Sequence, residues 1–253
     1  AALGEADGAL VSRYFGLGIE VDIEGRSILS VPKDLTAFAA ETGMRPADIE
    51  AVVANSKTKL RGARERRPRP PRDDKILASW NGLMLQAMAE AAGVLGRADY
   101  LKAAQAAAGS LVSRMTRNGV LMHSYKDGSA KIPGYLDDHA SVIRGLLSLH
   151  EATLDQRWLQ TALDLAGAMV RRFSDEKNPG LLYDTGPEES GLFLRPRDTS
   201  DSVKPCGGSS AAEVLLRLSR ITANAAYGEL AAAGLGLVRD QMLTQPLASG
   251  QWL

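Results

Sequence analysis

Residue types on which several classes of protein depend are scarce in this chain. Its 253 residues include one cysteine, Cys206, which excludes an intrachain disulfide framework, a CxxC redox pair and a cysteine-based zinc site. Lysine plus arginine equals aspartate plus glutamate at 30 each, so the broad positive field of a nucleic-acid-binding protein is missing. No apolar run approaches the roughly 18 residues of a membrane span, and no signal peptide opens the sequence. These absences predict a soluble, cytoplasmic protein that binds neither nucleic acid nor membrane.

Helix-forming residues are abundant. The chain has 37 alanines and 34 leucines, whereas aromatic residues make up 5% of it. Alanine and leucine lead the helix-propensity ranking, while aromatic and β-branched residues favour strands. The composition therefore predicts an all-α protein with a sizeable core.

Residues 1–72 are predicted to form a separate N-terminal region. Glycines interrupt short apolar runs as far as residue 45, so this stretch is predicted to be irregular. Pro46 then opens a helical pattern that continues to about Arg66. The basic run Arg64–Arg72 contains three prolines within four positions, which a helix cannot accommodate, and is predicted to be an extended connector.

Residues 73–253 contain the same helical pattern three times. Each copy joins two apolar-periodic stretches across a short break. The three copies are Trp80–Met115, Asp138–Phe173 and Ser209–Met242. The pattern predicts consecutive helical hairpins.

The connections between these hairpins are long, over residues 117–137 and 174–208. In an antiparallel array, all long connections lie on one face, together with the N-termini of the first helix of each pair. Long loops are commonly functional, and helix N-termini favour negative charge. We therefore expect the functional site on this face.

Four strings on the long-loop face carry a resemblance to a known family. In this order and spacing they resemble the thioredoxin-domain proteins whose second part is a six-hairpin, glycosidase-like α/α toroid, the spermatogenesis-associated thioredoxin-like family with many bacterial members. The resemblance runs from about Tyr14 to Leu243, and DDK…WNGL is its most specific part. The strings are DDKILASWNGLM from Asp73, HSYKDG from His123, GYLDDHA from Gly134 and DSVKPCGGSSAA from Asp201.

The resemblance implies part of the second domain of that family. The family places a thioredoxin-like domain and earlier hairpins before this point, so three hairpins are expected to form an incomplete α/α toroid. One string departs from the family pattern, because Cys206 stands where the family usually has serine and Gly208 where it has asparagine.

The resemblance and the polar residues of the long-loop face together predict a carbohydrate-active domain with glycosidase-like or sugar-epimerase-like acid/base chemistry. Two acid/base pairs remain open: the carboxylates Asp74 and Asp138, or the imidazoles His123 and His139. The alternative function is a non-catalytic recognition or scaffold module that serves a thioredoxin domain absent from this chain.

Asp137 and Asp138 directly precede a predicted helix, where an aspartate commonly caps the first N–H groups. Only one of them can cap, and Asp138 is expected to project into the cavity. The predicted substrate-binding residues are carboxylates, an amide, and aromatic rings that match the flat C–H face of a sugar. They are Trp80, Asn81, Tyr125, Tyr135, Asp137 and Asp201.

We expect no cofactor and no metal, because neither HExxH nor a comparable ligand spacing occurs. The expected partners are a carbohydrate ligand and, through the apolar flanks of an incomplete ring, a second copy of the chain or the missing family domains.

Overall fold

The computed structural model describes residues 2–18, 24–25, 27–117, 119–187 and 191–252. The chain divides into two compact units, Ala1–Asp73 and Asp74–Leu253. The boundary that we predicted after residue 72 therefore differs from this division by one residue. Helices dominate both units, so the all-α class predicted from composition is confirmed, with a small sheet added in the second unit.

The first unit contains helices where we predicted irregular chain. Its helices are α1 (Glu5–Tyr14), α2 (Leu35–Thr42) and α3 (Pro46–Glu65). The prediction for residues 1–45 is wrong because α1 and α2 are ten residues or shorter, too short to show a clear apolar stripe. Local capping defines α2, since the Asp34 carboxylate accepts from Ala37 N at 2.8 Å and Gly43 ends the helix at φ 68°.

The second unit contains the three predicted hairpins. In each pair the first helix ends at a residue with left-handed backbone geometry, Gly96, Leu154 or Ala223, which turns the chain into the second helix. A short 3-10 helix, Pro246–Ala248, follows the last pair. The pairs are α4 (Ala78–Leu95) with α5 (Ala98–Met115), α6 (Leu136–Thr153) with α7 (Gln156–Phe173), and α8 (Gly207–Thr222) with α9 (Ala225–Thr244).

The connection between α5 and α6 is not the structureless loop that we predicted. It contains strands β2, β3 and β4, and β3 pairs antiparallel with the other two and with β1, which precedes α4. Asp127 and Gly128, both at positive φ, make the two-residue turn between β3 and β4. An Asp-Gly pair between alternating apolar residues is a hairpin signal that was visible in the sequence. The strands are β1 (Ile76–Leu77), β2 (Thr116–Arg117), β3 (Val120–Lys126) and β4 (Ser129–Pro133).

Helix α6 is the centre of the second unit. Every residue from Asp138 to His150 is buried, because α4, α7 and α8 all pack against it. The contact with α4 is backbone to backbone: a methyl group on Gly82 would lie 2.5 Å from the Ser141 carbonyl carbon, and one on Gly145 would lie 2.7 Å from the Gly82 oxygen. Two glycines therefore set the distance between α4 and α6.

The buried face of α4 is not the apolar stripe that identified the helix. Its buried residues are mostly small, such as Gly82 and Ala89, with Leu85 the large exception, whereas Trp80 and Met84 are 65% and 60% exposed. Close approach of two helices favours small side chains, and Trp80 and Met84 lie on the outer face. Helix α4 is thus apolar on both sides.

Across the part of the chain that the structure describes, no helix combines the length and apolar character needed to cross a lipid bilayer.

The glycine contact gives a stability prediction. We expect Gly82→Ala to lower the free energy of unfolding by about 3 kcal/mol, because its methyl group would overlap backbone atoms of α6. The matched control is Gly93→Ala on the same helix, where nothing lies within 4 Å of the added carbon, and alanine there should stabilise by up to about 1 kcal/mol. Urea denaturation measures both. Equal stabilities of the two variants would contradict the close packing of α4 on α6.

Candidate active site

The carboxylate of Asp138 joins three elements at the long-loop face. Its Oδ1 accepts from Ser79 N in the first turn of α4 at 2.9 Å, and its Oδ2 accepts from Tyr135 N at 3.0 Å and faces His123 Nδ1 at 2.8 Å. Ser79 and Tyr135 each offer an N–H that the start of a helix leaves unpaired. One fully buried carboxylate therefore caps both α4 and α6 and holds a histidine of β3.

The expected roles of the two neighbouring aspartates are exchanged. We expected Asp138 to project into a cavity, but it is fully buried and Asp137 lies on the cavity wall, ion-paired with Lys204. The reason is that α6 begins at Leu136, so Asp138 is its third residue. A carboxylate at the third position reaches back to the N-terminus, while the second position faces outward.

His123 is held in one orientation by Asp138 and lies beside Tyr135. Its ring lies 5.1 Å from that of Tyr135, a cavity-lining residue, and its side chain is a quarter exposed. The hydrogen bond to Asp138 raises the pKa of His123 above its usual value, against the opposing effect of burial. Because Nδ1 faces the Asp138 carboxylate, Nε2 is the ring nitrogen that this hydrogen bond leaves unused.

His139 has a different environment. It is fully buried, its Nδ1 donates to the Tyr135 carbonyl at 3.0 Å, and its ring packs edge-on against Phe173. Burial lowers the pKa of His139, so the ring is neutral, and its Nε2 has no hydrogen-bond partner among the described residues. The protein encloses His139, which therefore has no exposed edge with which to contact a ligand.

A cavity of about 330 Å³ lies at the N-termini of α6 and α8, against the connection from α7 to α8. We call it the acidic cavity, because three carboxylates line it together with one lysine. Its walls are Tyr135, Asp137, Asp184, Asp198, Ser200, Ser202, Val203, Lys204, Pro205, Cys206 and Gly207.

Asp184 is the carboxyl group of the acidic cavity with the most distinctive environment. Burial raises the pKa of Asp184, and the nearby carboxylates of Asp198 and Asp137 raise it further, against the hydrogen bond that its Oδ2 accepts from Asp198 N at 2.7 Å. Its backbone carbonyl accepts from Leu136 N at 2.9 Å, which ties this part of the loop to the start of α6. Asp184 therefore keeps its proton to a higher pH than an ordinary aspartate does.

Sequence reasoning missed Asp184 and Asp198. Both lie in the long connection between α7 and α8, which we predicted to be on the functional face. That position was the available signal, because neither residue belongs to a periodic pattern or to one of the four family-like strings.

Asp201 holds the loop instead of lining the cavity. Its Oδ1 accepts from Cys206 N at 2.9 Å and Ser209 Oγ at 2.7 Å, and its Oδ2 accepts from Gln251 N at 2.8 Å. Burial acts to raise the pKa of Asp201, but these hydrogen bonds outweigh it and lower the pKa. The structure thus places this predicted binding residue behind the loop, while its neighbours Ser200 and Ser202 line the cavity.

The remaining predicted residues lie elsewhere. Asn81 and Tyr125 line a separate cavity of about 120 Å³, and the Asn81 amide donates to the Leu77 carbonyl at 2.8 Å. Asp74 is exposed and is not a wall residue of either cavity. Trp80 lines an apolar cavity that borders the acidic one. The structure therefore brings together His123, Tyr135 and the aspartate pair, but not Asp74, Asn81 or Tyr125.

Among the described side chains, no three or more histidine, cysteine or carboxylate residues are arranged to hold a metal ion.

Solved structures define the class of fold. An α-1,6-mannanase of Salegentibacter in complex with α-1,6-mannotriose has a TM-score of 0.54 at 15% identity and covers 93% of this chain and 70% of its own. A cellobiose 2-epimerase from Spirochaeta thermophila has a TM-score of 0.54 at 18% identity and covers 65% of this chain and 43% of its own. The chain has part of the six-hairpin, glycosidase-like α/α toroid fold, with three helical hairpins, as predicted.

Sequence similarity then relates the chain to a curated protein. Spermatogenesis-associated protein 20 of Homo sapiens is 31% identical over 237 residues, which cover 90% of this chain and 30% of that protein. No protein-family model matches the sequence. The chain is homologous to spermatogenesis-associated protein 20, of the thioredoxin-domain family, and spans about 30% of its length, which confirms the predicted resemblance.

The pairing of His123 with Asp138 predicts a pH dependence. Because the folded state raises the pKa of His123 above 6.5, the protonated ring stabilises the fold, and this contribution is complete below pH 6.5 and lost as pH rises through the raised value. His123→Gln should remove that part of the pH dependence. NMR titration of the ring should give a pKa above 6.5 for His123, unchanged by the control Asp99→Asn at an exposed pair with Arg97. A His123 pKa at or below 6.5 would contradict the pairing.

Proposed function

We propose that the acidic cavity binds a carbohydrate and catalyses acid/base cleavage of a glycosidic bond. The observation that carries this proposal is the presence, in the wall of one cavity, of a carboxyl group with a raised pKa, Asp184, and a second carboxyl group, Asp137. Glycoside hydrolysis needs two carboxyl groups in different protonation states, one to protonate the leaving oxygen and the other to act as base or nucleophile. We assign the first role to Asp184 and the second to Asp137.

The fold and one structural neighbour support the proposal. The neighbouring α-1,6-mannanase is an inactive variant in which two consecutive aspartates are replaced by asparagine. This chain also has consecutive aspartates, Asp137 on the cavity wall and Asp138 directly behind it. In our assignment the two aspartates have different roles. Asp137 contacts the sugar, and Asp138 is a positioning residue that fixes the start of α6 and the ring of His123.

Cleavage fits the geometry better than epimerisation does. Moving a proton from one face of a sugar carbon to the other calls for two groups that both reach the sugar. Of the two histidines proposed for that purpose, His123 contacts Tyr135 of the cavity wall without lining the cavity itself, and His139 is enclosed. The carboxyl groups, in contrast, line the cavity directly.

A non-catalytic recognition module is the second candidate. The observation that favours it is the ion pair between Asp137 and Lys204, which occupies the carboxylate that cleavage would need. Under that function the cavity would bind a sugar without turnover, and a thioredoxin domain of the family would act on the bound partner.

Substitution of the two carboxyl groups tests the first function. Purified protein is incubated with α-1,6-mannotriose, cellobiose and a panel of other α- and β-linked oligosaccharides, and release of reducing ends is measured. We expect Asp137→Asn and Asp184→Asn each to lower turnover at least about 100-fold, because each removes one catalytic group. The control is Glu176→Gln, an exposed carboxylate in the same loop, which should keep full turnover. Sugar binding without turnover by the unsubstituted protein would favour the recognition function instead.

The pH profile is a second test. Activity that requires protonated Asp184 should fall as pH rises through its raised pKa. The stabilising contribution of the protonated group follows the same direction: it is complete below pH 3.8 and is lost as pH rises through the raised value. Unfolding measurements at several pH values should show that this loss disappears in Asp184→Asn. An unchanged pH dependence in that variant would contradict the raised pKa.

A further inference from the structure

An apolar cavity of about 460 Å³ borders the acidic cavity. Helix α4 contributes its outer face, and the connection from α7 to α8 contributes the opposite wall. We call this surface the Trp80 shelf. It consists of Trp80, Leu83, Met84, Ala87, Val203 and Lys204.

Trp80 is placed unlike the other tryptophans of the chain. Its side chain is 65% exposed, whereas Trp158 and Trp252 are 5% and 8% exposed. The opposite face of α4 makes the contact with α6, so the packing of this helix does not use the indole ring. A large flat ring held on a rigid helix and open to solvent is suited to a ligand with an apolar face.

The Trp80 shelf is continuous with the acidic cavity. Val203 and Lys204 line both spaces, and the Lys204 ammonium group pairs with the Asp137 carboxylate. An ion pair therefore lies at the junction of an apolar floor and a cavity lined by carboxyl groups. Both volumes fall within the roughly 300–1,000 Å³ that is usual for small-molecule sites.

We propose that the Trp80 shelf is a second sugar-binding subsite, so that the ligand is a chain of at least two sugar units. This inference rests on the proposed function. One unit occupies the acidic cavity beside Asp137 and Asp184. The next unit lies with its C–H face against Trp80 and its hydroxyl groups toward the Lys204–Asp137 pair. A carbohydrate chain combines the apolar face and the polar edge that these two adjoining surfaces match.

Binding measurements test the subsite without turnover. In a protein carrying Asp184→Asn, binding of α-1,6-mannotriose and of cellobiose is compared with binding of mannose and of glucose by titration calorimetry. We expect Trp80→Ala to weaken binding of the oligosaccharides at least tenfold and to change binding of the monosaccharides less than twofold. Trp80→Phe should restore most of the oligosaccharide affinity, because it keeps a flat ring. The control is Val94→Ala, another exposed apolar residue of α4, which should change nothing.

Quenching of tryptophan fluorescence provides an independent readout. Because Trp80 is the exposed tryptophan, acrylamide should quench it preferentially, and bound oligosaccharide should protect it while bound monosaccharide should not.

The outcomes separate the two proposals. Cleavage that depends on Asp137 and Asp184, with oligosaccharide affinity unchanged by Trp80→Ala, would overturn the subsite and leave the proposed function standing. Neither binding nor cleavage of any sugar would overturn both. Protection of Trp80 that grows with protein concentration in the absence of sugar would show that a second copy of the chain covers the shelf, and would overturn the subsite.

Discussion

The carboxylate of Asp138 accepts hydrogen bonds from Ser79 N and Tyr135 N and faces His123 Nδ1, three groups that belong to different parts of the fold. A fully buried carboxylate is costly unless its lone pairs are used, and here charge-assisted hydrogen bonds use them. The starts of α4 and α6 and the middle of β3 must therefore meet at one point. The glycine contact between α4 and α6 allows this, because it brings the two backbones together. The position of Asp137 at the cavity follows from the same arrangement.

A second set of bonds fixes the connection between α7 and α8 opposite that point. Asp201 holds the end of the connection on α8 through Ser209 and on the C-terminal segment through Gln251. Leu136 N, at the start of α6, donates to the Asp184 carbonyl. The loop is thus anchored on both sides, and Asp184 faces the cavity that Asp137 lines. Acid/base catalysis requires carboxyl groups that are held in fixed positions. The hydrogen bonds of Asp138 fix Asp137, and the anchored loop fixes Asp184.

Sequence reasoning found the architecture more completely than the site. The period of apolar residues and the short breaks predicted the three hairpins, because helix packing leaves a regular pattern. The same pattern includes Trp80 and Met84, which lie exposed on the outer face of α4, while its buried residues are mostly small. Whether Asp137 or Asp138 caps α6 depends on the residue at which the helix begins. Moving that start by one residue exchanges the directions in which the two side chains point. The raised pKa of Asp184 results from its burial in a loop without apolar periodicity. No local sequence pattern therefore predicts it.

The unfolding free energies of Asp138→Asn and Asp137→Asn test the central position of the Asp138 carboxylate most directly. Asparagine has one side-chain oxygen that can accept hydrogen bonds, whereas the carboxylate accepts with two. We therefore predict that Asp138→Asn lowers the free energy of unfolding by about 3 kcal/mol. Asp137→Asn removes only an ion pair to the partly exposed Lys204, so we predict a loss of about 1 kcal/mol or less. Urea denaturation of both variants gives the comparison. Equal losses, or a smaller loss for Asp138→Asn, would contradict the account that one buried carboxylate organises the site.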